Sequence, residues 1–298
     1  MSEGAKHHSL EDFAEIIKHN EPLAPYTYLK IGGPAEMLIQ PRSVEELQAV
    51  VRVCLRDRIS LRVLGRGCSI LVRDEGVRGA VLRLNEPVFT GIVVQGQRVK
   101  SGTGAALSAL ISEAAKNGLA GLEPLVGIPG TVGGALRCNA GDRSGEIGPF
   151  VHSVELLDDR GELQIRERDD LRFAYRWSNL DEPVLLSAEF ELERDHQDAI
   201  VKRLRKTWIQ RKAVQPMSFQ ASSRLFKHPR GLNAGALIAQ TGLVGTRVGG
   251  AEVSERDSNF IVADAGTSAR DVLRLVELLQ TRVREHAGID LELEISVW

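Results

Sequence analysis

Three stretches of the chain place apolar residues at the three- and four-residue intervals of a helix. They are residues 43–56, 106–118 and 268–288. The first opens with Ser43 and Glu46, and the third with Ser268 and Asp271, both at the spacing of a capping box. The second and third end at a glycine, a common residue just beyond a helix. Each stretch therefore predicts one amphipathic helix.

Short apolar runs between these helices predict strands. They cover residues 61–65, 69–72, 78–84, 91–102, 154–165, 184–192 and, at the end of the chain, 291–298. Asp159 to Gly161 has the composition of a hairpin turn, and the run from Val184 to Leu192 alternates like a half-buried strand. The charged residues 193–213 predict a solvated helix that leads to a last domain near Gln215. The pattern as a whole favours an α+β fold.

Composition narrows the class of protein. At 298 residues the chain is long enough for two or three domains, and its net charge of -2 gives no reason to expect nucleic acid as a partner. Cys54, Cys68 and Cys138 form no C-x-x-C pair, which argues against a disulfide framework or a zinc site. The polar N-terminal segment and the lack of an apolar run of roughly 18 residues argue against secretion and membrane insertion. We therefore expect a cytoplasmic protein without a metal, most simply a monomer.

Glycines are concentrated between Gly121 and Gly148, beside Pro129. A glycine-rich backbone can approach an anion closely and adopt positive φ, so this segment is a candidate contact for a nucleotide diphosphate. The glycine spacing does not fit a Rossmann fingerprint, and no G-K-[ST] sequence completes a Walker A loop. A purely structural glycine turn remains the alternative.

Several motifs occur in the order found in one family of flavoenzymes. They are TYLKIGGPAEMLI, LGRGCSILVRDEGVRGAVLRL, GLEPLVGIPGTVGGALRCNAG, FAYRWS, LFKHPRG, GLVGTRVGGAEVSERDSNFIV and LELEI. The chain thereby resembles the UDP-N-acetylenolpyruvoylglucosamine reductase (MurB) family, in its shorter form. The resemblance covers nearly the whole chain.

The resemblance implies a two-part FAD-binding unit of the vanillyl-alcohol-oxidase (PCMH-like) type and a C-terminal α+β substrate-binding domain. The expected divisions are residues 1–80, 81–197 and 198–298, with the last strand returning to the active site. It also implies that amides of Gly65 to Ser69 and of Ile128 to Gly134 bind the FAD pyrophosphate. The implied cofactor-binding residues are Gly65, Arg66, Gly67, Cys68, Ser69, Ile128, Pro129, Gly130, Thr131, Gly133, Gly134, Asn139 and Gly141.

The family uses NADPH to reduce its flavin and then reduces UDP-N-acetylglucosamine enolpyruvate to UDP-N-acetylmuramate, a peptidoglycan precursor. Arg176, in FAYRWS, matches the arginine that polarises the substrate carboxylate, and Glu294, in LELEI, matches the catalytic glutamate. A guanidinium fork suits a planar carboxylate. Tyr175, Arg224 and Lys227 are the further residues expected to bind the UDP-sugar.

The proton-donor loop departs from the family pattern G-S-x-F-K-N-P. Aligning Phe226 and Lys227 without a gap places Ser223 on the glycine, Arg224 on the catalytic serine and His228 on the asparagine. Arginine does not release a proton at neutral pH. Three alternatives follow.

A shifted loop can present Ser223 or Ser222 as the donor, or His228 can replace the serine. In the third alternative the chain has lost or altered the reductase step, and it is a regulatory or UDP-sugar-binding flavoprotein or a flavin oxidase. Further departures from the family pattern, at Cys68, Asp257 and Ser296 and near Arg143, fall around the same pocket.

Overall fold

The computed structural model describes residues 8–216 and 221–298. The part of the chain before residue 91 forms a four-stranded sheet in the order β1-β2-β5-β3, packed against helix α1. Its elements are β1 (Ile17–Pro22), β2 (Pro34–Ile39), α1 (Val44–Arg56), β3 (Leu61–Val63), β4 (Ile70–Leu71), β5 (Val77–Leu82) and the short α2 (Pro87–Thr90). Strand β5 crosses the expected division at residue 80, because it pairs with β2 and β3 up to Leu82.

Helix α1 begins as predicted, but its capping box is incomplete. The Ser43 hydroxyl accepts the amide N–H of Glu46 at 3.2 Å. The Glu46 carboxylate accepts the amide N–H of Arg42 at 2.6 Å, where a capping box would bond the N–H of Ser43. The predicted capping box is therefore wrong in its second half, because Arg42 also attracts that carboxylate through its guanidinium.

The middle of the chain forms a five-stranded antiparallel sheet in the order β12-β11-β15-β7-β6. Its elements are β6 (Ile92–Gln95), β7 (Arg98–Gly102), α3 (Leu107–Lys116), β8 (Leu119–Ala120), α4 (Val132–Arg137), β9 (Gly141–Asp142), β10 (Gly145–Glu146), β11 (Val151–Leu157), β12 (Leu163–Glu167), β13 (Phe173–Ala174), β14 (Trp177–Ser178), β15 (Val184–Glu191), β16 (Glu193–Arg194) and α5 (Gln197–Val214). The predicted helix and hairpin of this region are confirmed. Helix α3 packs its apolar face into the core beneath this sheet.

The last part of the chain is a separate α+β layer, with its sheet in the order β17-β20-β19-β18. Its elements are β17 (Ser222–Arg224), α6 (Ala234–Gln240), β18 (Arg247–Val248), β19 (Ala251–Val253), β20 (Phe260–Ala263), α7 (Ala269–Ala287) and β21 (Ser296–Val297). Helix α7 has the complete capping box of Ser268 and Asp271 and ends at Gly288 in the left-handed conformation. Short 3₁₀ turns lie at Leu10–Ile16, Ala24–Tyr26, Glu123–Leu125, Gly148–Phe150 and Arg168–Asp170.

The C-terminal segment joins this last layer to the first. The predicted strand over residues 291–298 is too long, since only Ser296–Val297 forms a strand and Leu293 makes a single bridge to Phe226. Strand β21 pairs in parallel with β4, and β4 directly follows the glycine-containing turn at residues 65–69. Along this segment, Leu293 pairs with Phe226 and Ser296 pairs with Ile70 of β4. The backbone pairing is therefore interrupted between Leu293 and Ser296. Glu294 lies within this interruption.

The solvated helix predicted over residues 193–213 is confirmed as α5, in which only Ile200 and Arg211 are buried. The side chain of Arg211 is 9 % exposed, and its guanidinium donates to the carbonyl oxygens of Val126 (2.6 Å) and Pro124 (3.1 Å). The same group pairs with the Asp142 carboxylate. Helix α5 thus fixes the glycine-rich segment from both ends.

No helix of residues 8–216 and 221–298 is long and apolar enough to cross a bilayer.

Candidate active site

A cavity of about 620 Å³ opens where the three layers meet. Its wall includes both predicted glycine turns, residues of α5, strand β17 and the C-terminal segment. This volume lies within the range of about 300–1,000 Å³ that is usual for ligand pockets. Within the described parts of the chain, no cluster of three metal-ligating side chains occurs.

The first glycine turn, Gly65 to Ser69, leaves its amides available. Its carbonyl oxygens are used for anchoring: Gly67 accepts from the amide of Tyr28, and Ser69 accepts from that of Ser296. The amide N–H groups of this turn have no acceptor in the described residues. Gly67 has φ +61°, and a Cβ there would lie 2.7 Å from the Cα of Thr27. The turn therefore presents unused donors along one wall of the cavity.

The second turn, Ile128 to Gly134, uses more of its donors internally than predicted. The amides of Ile128, Val132 and Gly133 donate to the carbonyls of Leu125, Ala105 and Thr103, and that of Gly134 donates to the Thr131 hydroxyl. Pro129 has no N–H, so only Gly130 and Thr131 keep amides without an acceptor in the described chain. The expectation that every amide of the turn binds an anion is thus wrong for the other residues, whose N–H groups already donate to acceptors within the protein.

The two turns are in direct contact. A Cβ added to Gly65 would lie 2.5 Å from Oγ1 of Thr131, so any larger residue would push the turns apart. A Cβ on Gly130 would meet nothing within 4 Å, and its φ of +143° is a conformation that side chains rarely allow. The amides of both turns can therefore act on one anionic group, which fits the diphosphate of a dinucleotide.

Arg176 and Glu294 face each other in the cavity wall. Arg176 lies at the tip of the β13–β14 hairpin with φ +55°, and its side chain is 9 % exposed. Its Nε lies 3.2 Å from Oε1 of Glu294, an ion pair without hydrogen-bond geometry. Nε of Arg176 and Oε2 of Glu294 are both buried and have no hydrogen-bond partner in the described residues. Buried polar atoms are rarely left unpaired, so these two atoms mark a place for a polar ligand group.

Asn139 supports this hairpin and does not line the cavity. Its Nδ2 donates to the carbonyl of Ala174 (3.0 Å) and to Oε2 of Glu146 (2.7 Å). Its Oδ1 accepts the amide N–H of Gly148 at 3.0 Å. The expected cofactor-binding role of this side chain is replaced by a structural one, since all its polar atoms are used. Gly141, the neighbouring expected residue, does line the cavity.

Strand β17 contributes three consecutive residues to the wall. Ser222, Ser223 and Arg224 pair with Val262, Ile261 and Phe260 of β20. The Ser223 hydroxyl donates to the carbonyl of Cys68 at 3.0 Å, and the Arg224 guanidinium stacks over the Phe260 ring at 5.2 Å. Nε of Arg224 is buried without a hydrogen-bond partner in the described chain.

His228, Tyr175 and Lys227 are not part of the cavity wall, and their expected roles stay predictions. The amide of His228 donates to the Tyr175 hydroxyl (3.0 Å), and its Nδ1 accepts the amide N–H of Ala234 (3.1 Å). Burial, followed by the nearby Arg224, lowers the pKa of His228. Lys227 pairs with the exposed Glu292 at 2.5 Å.

Two cysteines line the cavity as neutral groups. Burial raises the pKa of both Cys68 and Cys138 to about 11. Their thiols are therefore protonated and weakly nucleophilic at neutral pH.

Some residues of the wall were not among the predicted ones. Trp208, Arg211 and Lys212 of α5 line the cavity, and the Lys212 ammonium lies over the Trp208 ring at 4.7 Å. Trp298, with the Arg62 guanidinium 5.2 Å from its ring, closes another side. The spacing of residues 208, 211 and 212 places them on one helix face, a signal that the overall charge of the segment concealed.

Comparison with known proteins agrees with this architecture. Residues 35–165 match the family model described as an FAD binding domain. Residues 215–298 match the model of the C-terminal domain of UDP-N-acetylenolpyruvoylglucosamine reductase. The fold and the cavity thus define an FAD-binding protein with a separate C-terminal domain.

Several known proteins match this chain over nearly its whole length. The UDP-N-acetylenolpyruvoylglucosamine reductase of Moorella thermoacetica is 40% identical over 280 residues, 94% of this chain and 92% of its own length. That of Rhodopirellula baltica is 33% identical over 297 residues, 100% of this chain and 97% of its own length. The crystal structure of the enzyme from Thermus caldophilus superposes with a TM-score of 0.80 at 38% identity, covering 93% of this chain and 97% of that one. The chain belongs to the UDP-N-acetylenolpyruvoylglucosamine reductase family.

These comparisons confirm the resemblance and the fold class, including the two-part FAD-binding unit. The roles of individual residues and the domain boundaries remain predictions.

Proposed function

We propose that this protein is an FAD-dependent reductase that uses NADPH to convert UDP-N-acetylglucosamine enolpyruvate to UDP-N-acetylmuramate for peptidoglycan synthesis. The observation that carries the proposal is the buried Arg176–Glu294 ion pair, which lies in the same cavity as the glycine-turn amides that have no acceptor in the described chain. One cavity thus combines a site for a diphosphate with a site for a carboxylate.

The residues present fit FAD. In this proposal the amides of Gly65 to Ser69, with those of Gly130 and Thr131, hold the diphosphate, and Gly141 and Cys68 lie along the rest of the cofactor. Bound FAD supplies the hydride for the reaction, and NADPH supplies that hydride to FAD.

The substrate carboxylate is assigned to Arg176. Reduction of an enol ether that bears a carboxylate places negative charge on that group, and a fixed guanidinium stabilises such charge. Glu294 keeps the guanidinium in place through its ion pair at 3.2 Å. Arg224 is assigned to an anionic part of the UDP-sugar inside the cavity, and Tyr175 and Lys227 to its outer part.

The proposal also places the protein in the cytoplasm and divides the chain into domains. Three free cysteines are compatible with the reducing cytoplasm, where NADPH is available. The FAD-binding unit is proposed to consist of two parts that divide after Leu82, where β5 ends, and the substrate domain to follow α5.

The test follows NADPH absorbance with purified, FAD-loaded protein. Consumption of NADPH that depends on the enolpyruvyl substrate, with formation of UDP-N-acetylmuramate, is the expected result. A protein that takes up FAD but consumes no NADPH with this substrate would contradict the proposal.

Arg224 favours a second candidate, a flavoprotein that binds a UDP-sugar without reducing it. Its unpartnered, buried Nε can hold an anion, and an arginine stands where the family has its proton donor. Binding of UDP-N-acetylglucosamine enolpyruvate that perturbs the flavin spectrum without any reoxidation of reduced flavin would support this candidate.

A further inference from the structure

The proposed reaction needs a proton donor beside the substrate, and the three predicted donors differ in how their polar atoms are used. Hydride addition to one carbon of the enol ether leaves an electron pair on the other carbon, next to the carboxylate. That carbon must receive a proton from a group in the cavity wall.

Ser223 uses its hydroxyl to hold two layers together. Its Oγ donates to the carbonyl of Cys68 at 3.0 Å and lies 3.3 Å from the carbonyl of Arg224. Both partners are acceptors, so the single hydroxyl proton is committed to the main chain. Releasing it would break the contact between strand β17 and the first glycine turn.

His228 is directed elsewhere. It does not line the cavity, and its Nδ1 accepts the amide N–H of Ala234, the first residue of α6. Its main-chain N–H is bound to the Tyr175 hydroxyl, which fixes the residue outside the wall.

Ser222 satisfies the remaining requirements. It lines the cavity, is 8 % exposed, and its hydroxyl has no hydrogen-bond partner among residues 8–216 and 221–298. Side chains alternate along a strand, so Ser222 lies on the same face of β17 as Arg224. A guanidinium on that face stabilises the alkoxide left after the proton has moved.

Resting on the proposed function, we propose that the Ser222 hydroxyl is the proton donor of this enzyme. The O–H bond of Ser222 breaks, and its proton forms the new C–H bond at the carbon next to the substrate carboxylate. The electron pair of that carbon makes the bond, and the alkoxide of Ser222 regains a proton from solvent water. Arg224 occupies the position of the family's catalytic serine. It does not donate the proton but supplies a positive charge beside Ser222.

The experiment separates the two half-reactions in Ser222→Ala, Ser223→Ala and Ser222→Cys. For Ser222→Ala, the rate of flavin reoxidation by the enolpyruvyl substrate is expected to fall about 10²- to 10³-fold, the usual contribution of a general acid. Reduction of the flavin by NADPH is expected to stay unchanged. Ser222→Cys is expected to regain part of the rate, and Ser223→Ala to lose less than about tenfold.

The stereochemistry of the product gives an independent readout. In D2O, the unmodified protein is expected to form one deuterium diastereomer at the carbon next to the carboxylate. Ser222→Ala is expected to form a mixture, because water then donates from either side. Full flavin absorbance in each variant verifies that the protein has folded around FAD.

The outcomes separate the inference from the proposed function. Unchanged reoxidation and a single diastereomer in Ser222→Ala, or the larger loss in Ser223→Ala, would overturn the assignment of Ser222 alone. Absence of reoxidation by the substrate in the unmodified protein would overturn the proposed function, and the donor assignment with it.

Discussion

The two glycine turns and strand β17 face the same cavity but contribute different parts of the polypeptide. The turns offer main-chain N–H groups, and they anchor themselves through carbonyls such as those of Gly67 and Ser69. Strand β17 offers side chains, the hydroxyls of Ser222 and Ser223 and the guanidinium of Arg224.

The difference explains where the chain departs from its family. In the proposed function the turns bind through their amides, so side chains such as those of Arg66 and Cys68 are expected to be replaceable. On β17 a single residue, Arg224, is expected to change the chemistry available to the substrate, since a hydroxyl and a guanidinium differ in their ability to release a proton. We therefore expect substitutions of side chains to cost less on the cofactor side than on the substrate side.

The largest effect is expected for Glu294→Gln, on the substrate side. The amide keeps the shape of the side chain but removes the counter-ion of Arg176, which lies 3.2 Å away. We expect flavin reoxidation by substrate to slow by about 10²- to 10³-fold, the effect of losing one preorganised electrostatic contact. Stopped-flow absorbance of the flavin measures both half-reactions, and reduction by NADPH should stay unchanged.

Glu292→Gln is the matched control, since Glu292 is 72 % exposed and contacts Lys227 outside the cavity. It should behave like the unmodified protein. Equal losses in both variants would contradict a specific role for Glu294.

On the cofactor side, Gly65→Ala is expected to lower FAD affinity by about 10- to 100-fold, which corresponds to about 1.4 to 2.7 kcal/mol. The new Cβ would lie 2.5 Å from Oγ1 of Thr131 and would separate the two turns. Titration of apoprotein with FAD, followed by flavin fluorescence, measures the change.

Gly91→Ala is its control, because Gly91 has an ordinary φ of -62° and a Cβ there would approach only the Pro87 carbonyl at 3.4 Å. An FAD affinity that falls equally in both variants would show that the contact between the turns is unimportant.

The two glycine turns could be found from the sequence because glycine content is a local signal. Arg176 and Glu294, which belong to motifs far apart in the sequence, line the same cavity, and their roles stay predictions. The amides of Val132 and Gly133 were misjudged, since their acceptors, Ala105 and Thr103, are distant in sequence. No local pattern reports such a partner.

The substrate side was harder because its register depends on pairing. That Ser222 to Arg224 forms a strand follows from its pairing with β20, which the sequence does not reveal. Likewise, the burial of Arg211 on the otherwise solvated helix α5 depends on carbonyl oxygens that are distant in sequence.

Arg224→Gln tests the substrate side at a smaller scale. Loss of a cation with a buried, unpartnered Nε should weaken binding of the UDP-sugar by about tenfold, or about 1.4 kcal/mol. Calorimetric titration with UDP-N-acetylglucosamine measures it. Lys227→Gln is the comparison, expected to cost less because Lys227 is already paired with Glu292 outside the wall. A larger loss of UDP-sugar affinity in Lys227→Gln than in Arg224→Gln would contradict the assignment of Arg224 as the more important cation.

The smallest effect concerns pH and His228. Burial and Arg224 lower the pKa of His228 below its ordinary value of 6.5, against the opposing effect of Asp257 and with further lowering by Arg176 and Arg143. The unfolded chain then binds a proton more readily than the folded protein, so stability falls as pH drops from about 6.5 toward the lowered pKa. Above that range the imidazole is neutral in both states, and its contribution is complete.

His228→Gln removes this titration while keeping a polar side chain. The unmodified protein should therefore lose more Tm between pH 8 and pH 5 than the variant, by no more than about 4 °C, the shift that 1 kcal/mol produces in a domain of this kind. Thermal unfolding at both pH values measures the difference, and the other histidines act equally in both proteins. A greater loss of Tm in the variant would mean that the protonated imidazole is the form the folded protein prefers, and that Arg224 does not act on it across the edge of the cavity.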